Sequence, residues 1–237
     1  MIAGFRRLVF AALCAGLVTG VLTTAAHQLG TVPLILQAEV YEQAPAAGTA
    51  DHHPRVGHEH PAAPEWEPEG WTERALYTCL ADILTAIGFG LLLTAGFALR
   101  GGVTNWRDGL FWGLAGFATF TLAPCLGLPP ELPGSEAAPL LQRQLWWLAA
   151  AGSTGLGLAL LAFTQRAGWA VLGAALLIVP HVYGAPQPNE HTGNAAPEAL
   201  VRQFAVAVTV ISLLFWLSLG AASGYFYRRF DSQIRTG

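Results

Sequence analysis

Five runs of roughly 20 mostly apolar residues, and a shorter sixth, divide the chain: Phe5 to Leu29, Ala75 to Leu99, Asp108 to Leu128, Leu145 to Gln165, Trp169 to Tyr183 and Leu200 to Tyr227. They do not alternate with a period of two, as half-buried strands would. A hydrocarbon layer about 30 Å thick is crossed by about 20 residues of helix, and inside it a helix satisfies its own backbone polar groups. The pattern predicts an all-α, polytopic integral membrane bundle of six transmembrane helices, forming a single membrane domain over residues 1–237. The count falls to five if the first run is removed as a secretory signal, a pattern that Arg6-Arg7 ahead of LVFAALCAGLVTGVL supplies. It also falls to five if the short fifth run does not span.

Composition agrees with the runs. Apolar residues make up 53% of the 237 and charged residues only 11%, against about a quarter charged in a soluble domain. All twelve basic residues are arginine. Arg6, Arg7, Arg100, Arg107, Arg166, Arg228, Arg229 and Arg235 fall on one side of the expected bundle, and Arg55, Arg74, Arg143 and Arg202 on the other. The positive-inside bias then puts both termini in the cytoplasm. Dropping the fifth helix would turn the arginine-rich tail outward, so the charge pattern favours six.

The long loop of residues 30–74 is thereby extracytoplasmic. Its Pro, Ala, Gly, Glu and His content cannot bury enough apolar surface to offset ordering, and its centre is expected to be largely disordered. Its eight acidic residues, Glu39, Glu42, Asp51, Glu59, Glu65, Glu67, Glu69 and Glu73, face only Arg55 and Arg74. The formal charge of −3 thus conceals an acidic outer arm that attracts cations and argues against nucleic acid as a partner.

Within this arm DHHPRVGHEH brings together His52, His53, His58 and His60. Imidazoles two residues apart lie on one side of an extended chain, but no tetrahedral structural-zinc spacing is present. The expectation is loose binding of Co²⁺, Ni²⁺, Cu²⁺ or Zn²⁺ that concentrates metal outside the membrane; a solvated linker is the plainer alternative.

Ionisable groups inside spans are sparse and costly. His27, Asp82, Cys125 and His181 fall at similar depth in the outer half of the bundle, and Pro124 and Pro180 break helices beside two of them. A proline frees a carbonyl about one turn earlier, and freed carbonyls with imidazole and carboxylate would suit Co, Ni or Zn. These four residues are the candidate permeation site; the plainer reading makes them helix-end solvation and, for Cys125, apolar filler. Cys14, Cys79 and Cys125 form no CxxC pair and no disulfide framework. No phosphate loop, dinucleotide fingerprint or HExxH occurs, so no nucleotide-driven step and no enzyme is expected, and the chain implies no permanently bound cofactor. Gly152-Ser153-Thr154-Gly155 reads as a close-packing surface.

Several of these stretches resemble a known family. His27, Pro33, Leu34, Ile35, then Ala38-Glu39-Val40-Tyr41-Glu42, then LAPCLGLPPELPG, QLWW and Pro180-His181 followed by GAP, with a Gly-rich, Arg-tipped last helix, resemble the CbtA family of predicted cobalt transporter subunits. The resemblance spans about residues 5 to 230 without the His-rich arm. It implies a subunit in the prokaryotic inner membrane, active in cobalt uptake for cobalamin synthesis, with a small single-span, His-rich CbtB-like partner, and a family usually described with about five spans. The function expected is therefore a permease subunit for divalent cobalt, with Ni²⁺ or Zn²⁺ as other cargoes. The alternative is a non-transporting membrane metal sensor or docking subunit of a metal-transport complex.

Overall fold

The computed structural model describes residues 2–43, 70–103, 105–135, 137–188 and 196–236, and among them every regular element is helical. The order is α1 Ile2–Leu29, α2 Thr31–Gln43, α3 Gly70–Leu99, α4 Trp106–Phe117, a π-helical turn Ala118–Leu122, α5 Ala123–Cys125, α6 Leu140–Phe163, α7 Ala167–Tyr183 and α8 Glu198–Thr236. Each predicted apolar run falls largely on one helix, except the third, which covers α4, the π-helical turn and α5. Four segments are long and apolar enough to cross a membrane: Gly4–Leu29, Gly70–Leu99, Leu140–Phe163 and Glu198–Asp231. The remaining two runs are the broken segment α4–π–α5 and the 17-residue α7. Large apolar side chains along the long helices face outward, among them Val21, Leu84, Leu148 and Val210, each more than half exposed. Such a surface belongs against lipid.

Three details depart from the hydropathy reading. The start of the expected loop is helix α2, because Pro33 stands in its first turn, where no backbone N–H is needed. Ala38 of α2 is buried beside Leu132, Ala196, Leu200 and Phe204. At the third run, Pro124 has no N–H to offer, and the Ala123 N–H instead reaches Ala118 O, so the turn widens to π geometry. The start of α4 is capped: Asn105 accepts from the Arg107 and Asp108 N–H groups, and Asp108 accepts from the Asn105 N–H. Asp108 is thus a helix cap rather than an isolated acid in a span.

Glycine decides which helices meet. A methyl group on Gly16 or Gly20 would come within 2.4 or 2.5 Å of Ile87 or Ile83, which binds α1 tightly to α3. On Gly109 it would lie 2.1 Å from the Gly220 carbonyl oxygen, and on Gly113 2.2 Å from the Trp216 carbonyl oxygen, so α4 and α8 touch backbone to backbone. Gly157 and Gly173 do the same for α6 and α7. Gly152 has open space around it, but a Cβ on Gly155 would lie 3.3 Å from the Thr119 methyl, and Thr154 beside it is buried. The expected packing surface is therefore present at Thr154–Gly155 and continues to Gly157, while Gly152 takes no part in it.

The helices form a row: α3 packs on α1, α1 on α8, α8 on α4, the π turn and α5 on α6, and α6 on α7, with α3 also touching α8. Ala11 and Ala15 of α1, Leu93 and Phe97 of α3, and Phe215, Trp216, Leu219 and Tyr227 of α8 make the main core.

Candidate functional site

The α1–α3 pair puts two of the four candidate residues together. Close packing at Gly16 and Gly20 sets the two helices face to face, and about two turns further along α1 His27 Nδ1 lies 3.2 Å from Asp82 Oδ2 of α3. Thr24 completes the arrangement from the same face of α1, its hydroxyl 2.8 Å from the same carboxylate oxygen and 2.9 Å from Gly20 O. The side chain of Asp82 is only 14% exposed and that of His27 30%, so the imidazole forms the outer lip and the carboxylate the floor. Counted from Gly70, Asp82 is about 18 Å along α3 at about 1.5 Å per residue.

The contact can serve a cation in one way. With its proton on Nδ1, His27 donates to Asp82, which fixes the ring and leaves the Nε2 lone pair open to a ligand. The negative charge of Asp82 offsets part of an arriving cation's charge where the dielectric is low. Oxygen and imidazole nitrogen together suit Co²⁺, Ni²⁺ and Zn²⁺.

The other two candidates lie elsewhere in the row. Cys125, half-buried, ends α5 directly after the buried Pro124. His181 is on α7, where its ring meets the edge of Trp146 of α6 at 5.9 Å and 70°. A Cβ on Gly127 would lie 2.2 Å from the Trp146 ring and 2.8 Å from Ala185 Cβ, so the indole fastens the loop after α5, α6 and the end of α7 together. Pro180 is buried inside α7, and its carbonyl accepts from the Gly184 N–H at 3.1 Å. Among the described residues no group of three or more His, Cys, Asp or Glu side chains converges on one point. His52, His53, His58 and His60 lie outside the described residues.

Sequence reading passed over several polar partners. Thr24 stands one turn before His27 and was legible only as a helix interior residue. Glu39 of the AEVYE stretch binds Arg74 at 3.0 Å, and Glu131 of LGLPPELPG binds Arg143 at 2.8 Å. These pairs use Arg74 and Arg143 and tie α2 to α3 and the loop after α5 to α6. At the opposite end of the bundle Arg7 of α1 forms an ion pair with Asp231 and donates to the Tyr227 hydroxyl at 2.6 Å, both on α8.

With this geometry in hand, comparison with known proteins adds one finding. Residues 5–228 match the model of a family described as probable cobalt transporter subunit, CbtA. No curated protein and no solved structure matches the chain.

Proposed function

We propose, from the premise that the chain belongs to the CbtA family of probable cobalt transporter subunits, that it is a permease subunit admitting Co²⁺ across a prokaryotic cytoplasmic membrane. The observation that carries the reading is the His27–Asp82 contact of 3.2 Å within the apolar α1–α3 pair, because an ionisable pair in a membrane span is retained where it serves an ion path. The cation exchanges water for His27 Nε2 and then for Asp82, whose carboxylate turns from the imidazole toward the metal. Six spans place both termini inside and this mouth outside, where the arm bearing His52, His53, His58 and His60 raises the local metal concentration.

Energy for inward movement comes from the membrane potential. It supplies about 2.3 kcal/mol per charge per 100 mV, so a divalent ion gains about twice that without nucleotide. A small single-span His-rich subunit of the CbtB kind is the proposed partner.

The test is flux into liposomes carrying the full chain, with and without a single-span partner, comparing Co²⁺, Ni²⁺ and Zn²⁺ under an imposed inside-negative potential. Metal entry that rises with the potential supports a permease. Binding without entry in either preparation would overturn it in favour of a sensor or docking subunit.

A further inference from the structure

Three buried hydroxyls lie between the two charged ends described above. On α1, Ala11, Ala15, Thr19 and Thr23 recur every four residues and so form one ridge. All four are buried, Thr19 completely and Thr23 to 4% exposure. On α8, Phe215, Leu219, Ser223 and Tyr227 recur at the same spacing; Phe215, Leu219 and Tyr227 share the main core with Ala11 and Ala15, and Ser223 between them is fully buried. Helices α1 and α8 run antiparallel, with Arg7 against Asp231 at one end and Gly30 against Ile211 at the other. The hydroxyls of Thr19, Thr23 and Ser223 find no hydrogen-bond partner among the described residues. A hydroxyl buried without a partner is penalised. Yet a Thr in a helix can ordinarily bond back to a carbonyl four residues earlier, as Thr24, Thr78 and Thr94 do here.

The seam also separates two glycine-packed helix pairs. Close glycine contacts join α1 to α3 and α4 to α8, whereas between α1 and α8 the core sets Ala11 and Ala15 with Phe215 and Leu219, and Gly30, just past α1, meets only the Ile211 side chain. Rocking of one helix pair against another opens such a boundary without breaking either pair. At the inner end the seam is latched by Arg7, held between Asp231 and Tyr227. At the outer end it begins one turn below His27, since Thr19, Thr23 and His27 continue the same four-residue spacing.

We propose that the seam between the α1–α3 and α4–α8 pairs is the path of the cation, lined by Thr19, Thr23 and Ser223 and closed at its inner end by the Arg7 latch. It rests on the reading of His27 and Asp82 as the entry site and extends it inward. Hydroxyl oxygens are hard donors that replace water around a divalent cation, and they gain their missing partners when the seam opens and wets. Two substitutions at the latch and three in the seam then act in opposite directions, which no common loss of folding produces.

The experiment measures uptake of radioactive cobalt in a native-host strain lacking other cobalt importers, alongside thermal unfolding and Co²⁺ binding by the purified full chain. The variant combining Thr19→Val, Thr23→Val and Ser223→Ala is expected to lose roughly tenfold or more of its uptake. It should melt no lower than the parent, because unpaired hydroxyls have been removed from an apolar seam. Arg7→Gln and Asp231→Asn are each expected to raise uptake about threefold. Parental uptake in the triple variant, or unchanged or lower uptake in both latch variants, overturns the path. Failure of the entry site appears separately, as unchanged Co²⁺ binding when Asp82 or His27 is replaced.

Discussion

Asp82 of α3 and His27 of α1 stand 3.2 Å apart although 55 residues separate them in the chain. Their meeting depends on Gly16 and Gly20, since only glycine lets α3 approach α1 closely enough for a short carboxylate side chain to reach the imidazole. The packing of two helices thus sets the geometry of the proposed entry site.

Backbone contact at the α4–α8 boundary predicts a steep cost for any side chain placed there. Gly113→Leu should destabilise the protein by about 1–3 kcal/mol or more through overpacking, because a Cβ at Gly113 already lies 2.2 Å from a carbonyl oxygen. Gly152→Ala, in open space, should be neutral or stabilising by up to about 1 kcal/mol from helix propensity. Thermal unfolding of the two variants in the same detergent checks the contrast.

The edge-to-face contact of His181 with Trp146 predicts a packing role where α6 begins and α7 ends. His181→Ala should cost about 0.5–1.5 kcal/mol, the worth of an aromatic pair, and His181→Phe should recover most of it. Cobalt uptake should survive in both. Loss of uptake in the Phe variant with stability retained would return His181 to the cation path.

The outer arm predicts a conditional phenotype. Removing residues 50–61 should lower uptake only when external cobalt is scarce, because a loose reservoir alters local concentration and leaves the mouth intact. Uptake measured across a range of external cobalt separates the cases; total loss at every concentration contradicts the reservoir role.

Hydropathy located the spans because lipid demands long apolar helices whatever their neighbours. It could not say which helices touch. Those choices are made by glycines such as Gly109, Gly113, Gly220 and Gly224, whose spacing of four is visible in the sequence while their partners are not. The same limit applies to the site. His27 and Asp82 are conspicuous as rare polar groups in apolar runs, and the order of helices in the row brings them together. That order also leaves Cys125 on α5 and His181 on α7, outside the α1–α3 pair. Thr24, Arg7 and Asp231 were invisible as partners, since a helix-interior threonine and two terminal charges acquire meaning only once α1, α3 and α8 are packed. Helix α2 was missed because its residues were counted into the long loop, whereas Pro33 stands in a first turn, where it starts a helix rather than ending one.

The most direct measurement is uptake of radioactive cobalt by the Asp82→Asn variant in cells lacking other cobalt importers, with membrane levels of the protein matched to the parent. Asparagine keeps the shape and removes the charge proposed to orient His27 and to receive the cation. The account predicts a fall of roughly tenfold to a hundredfold, the scale on which loss of a carboxylate partner weakens a metal-binding imidazole. Uptake equal to the parent's would contradict it.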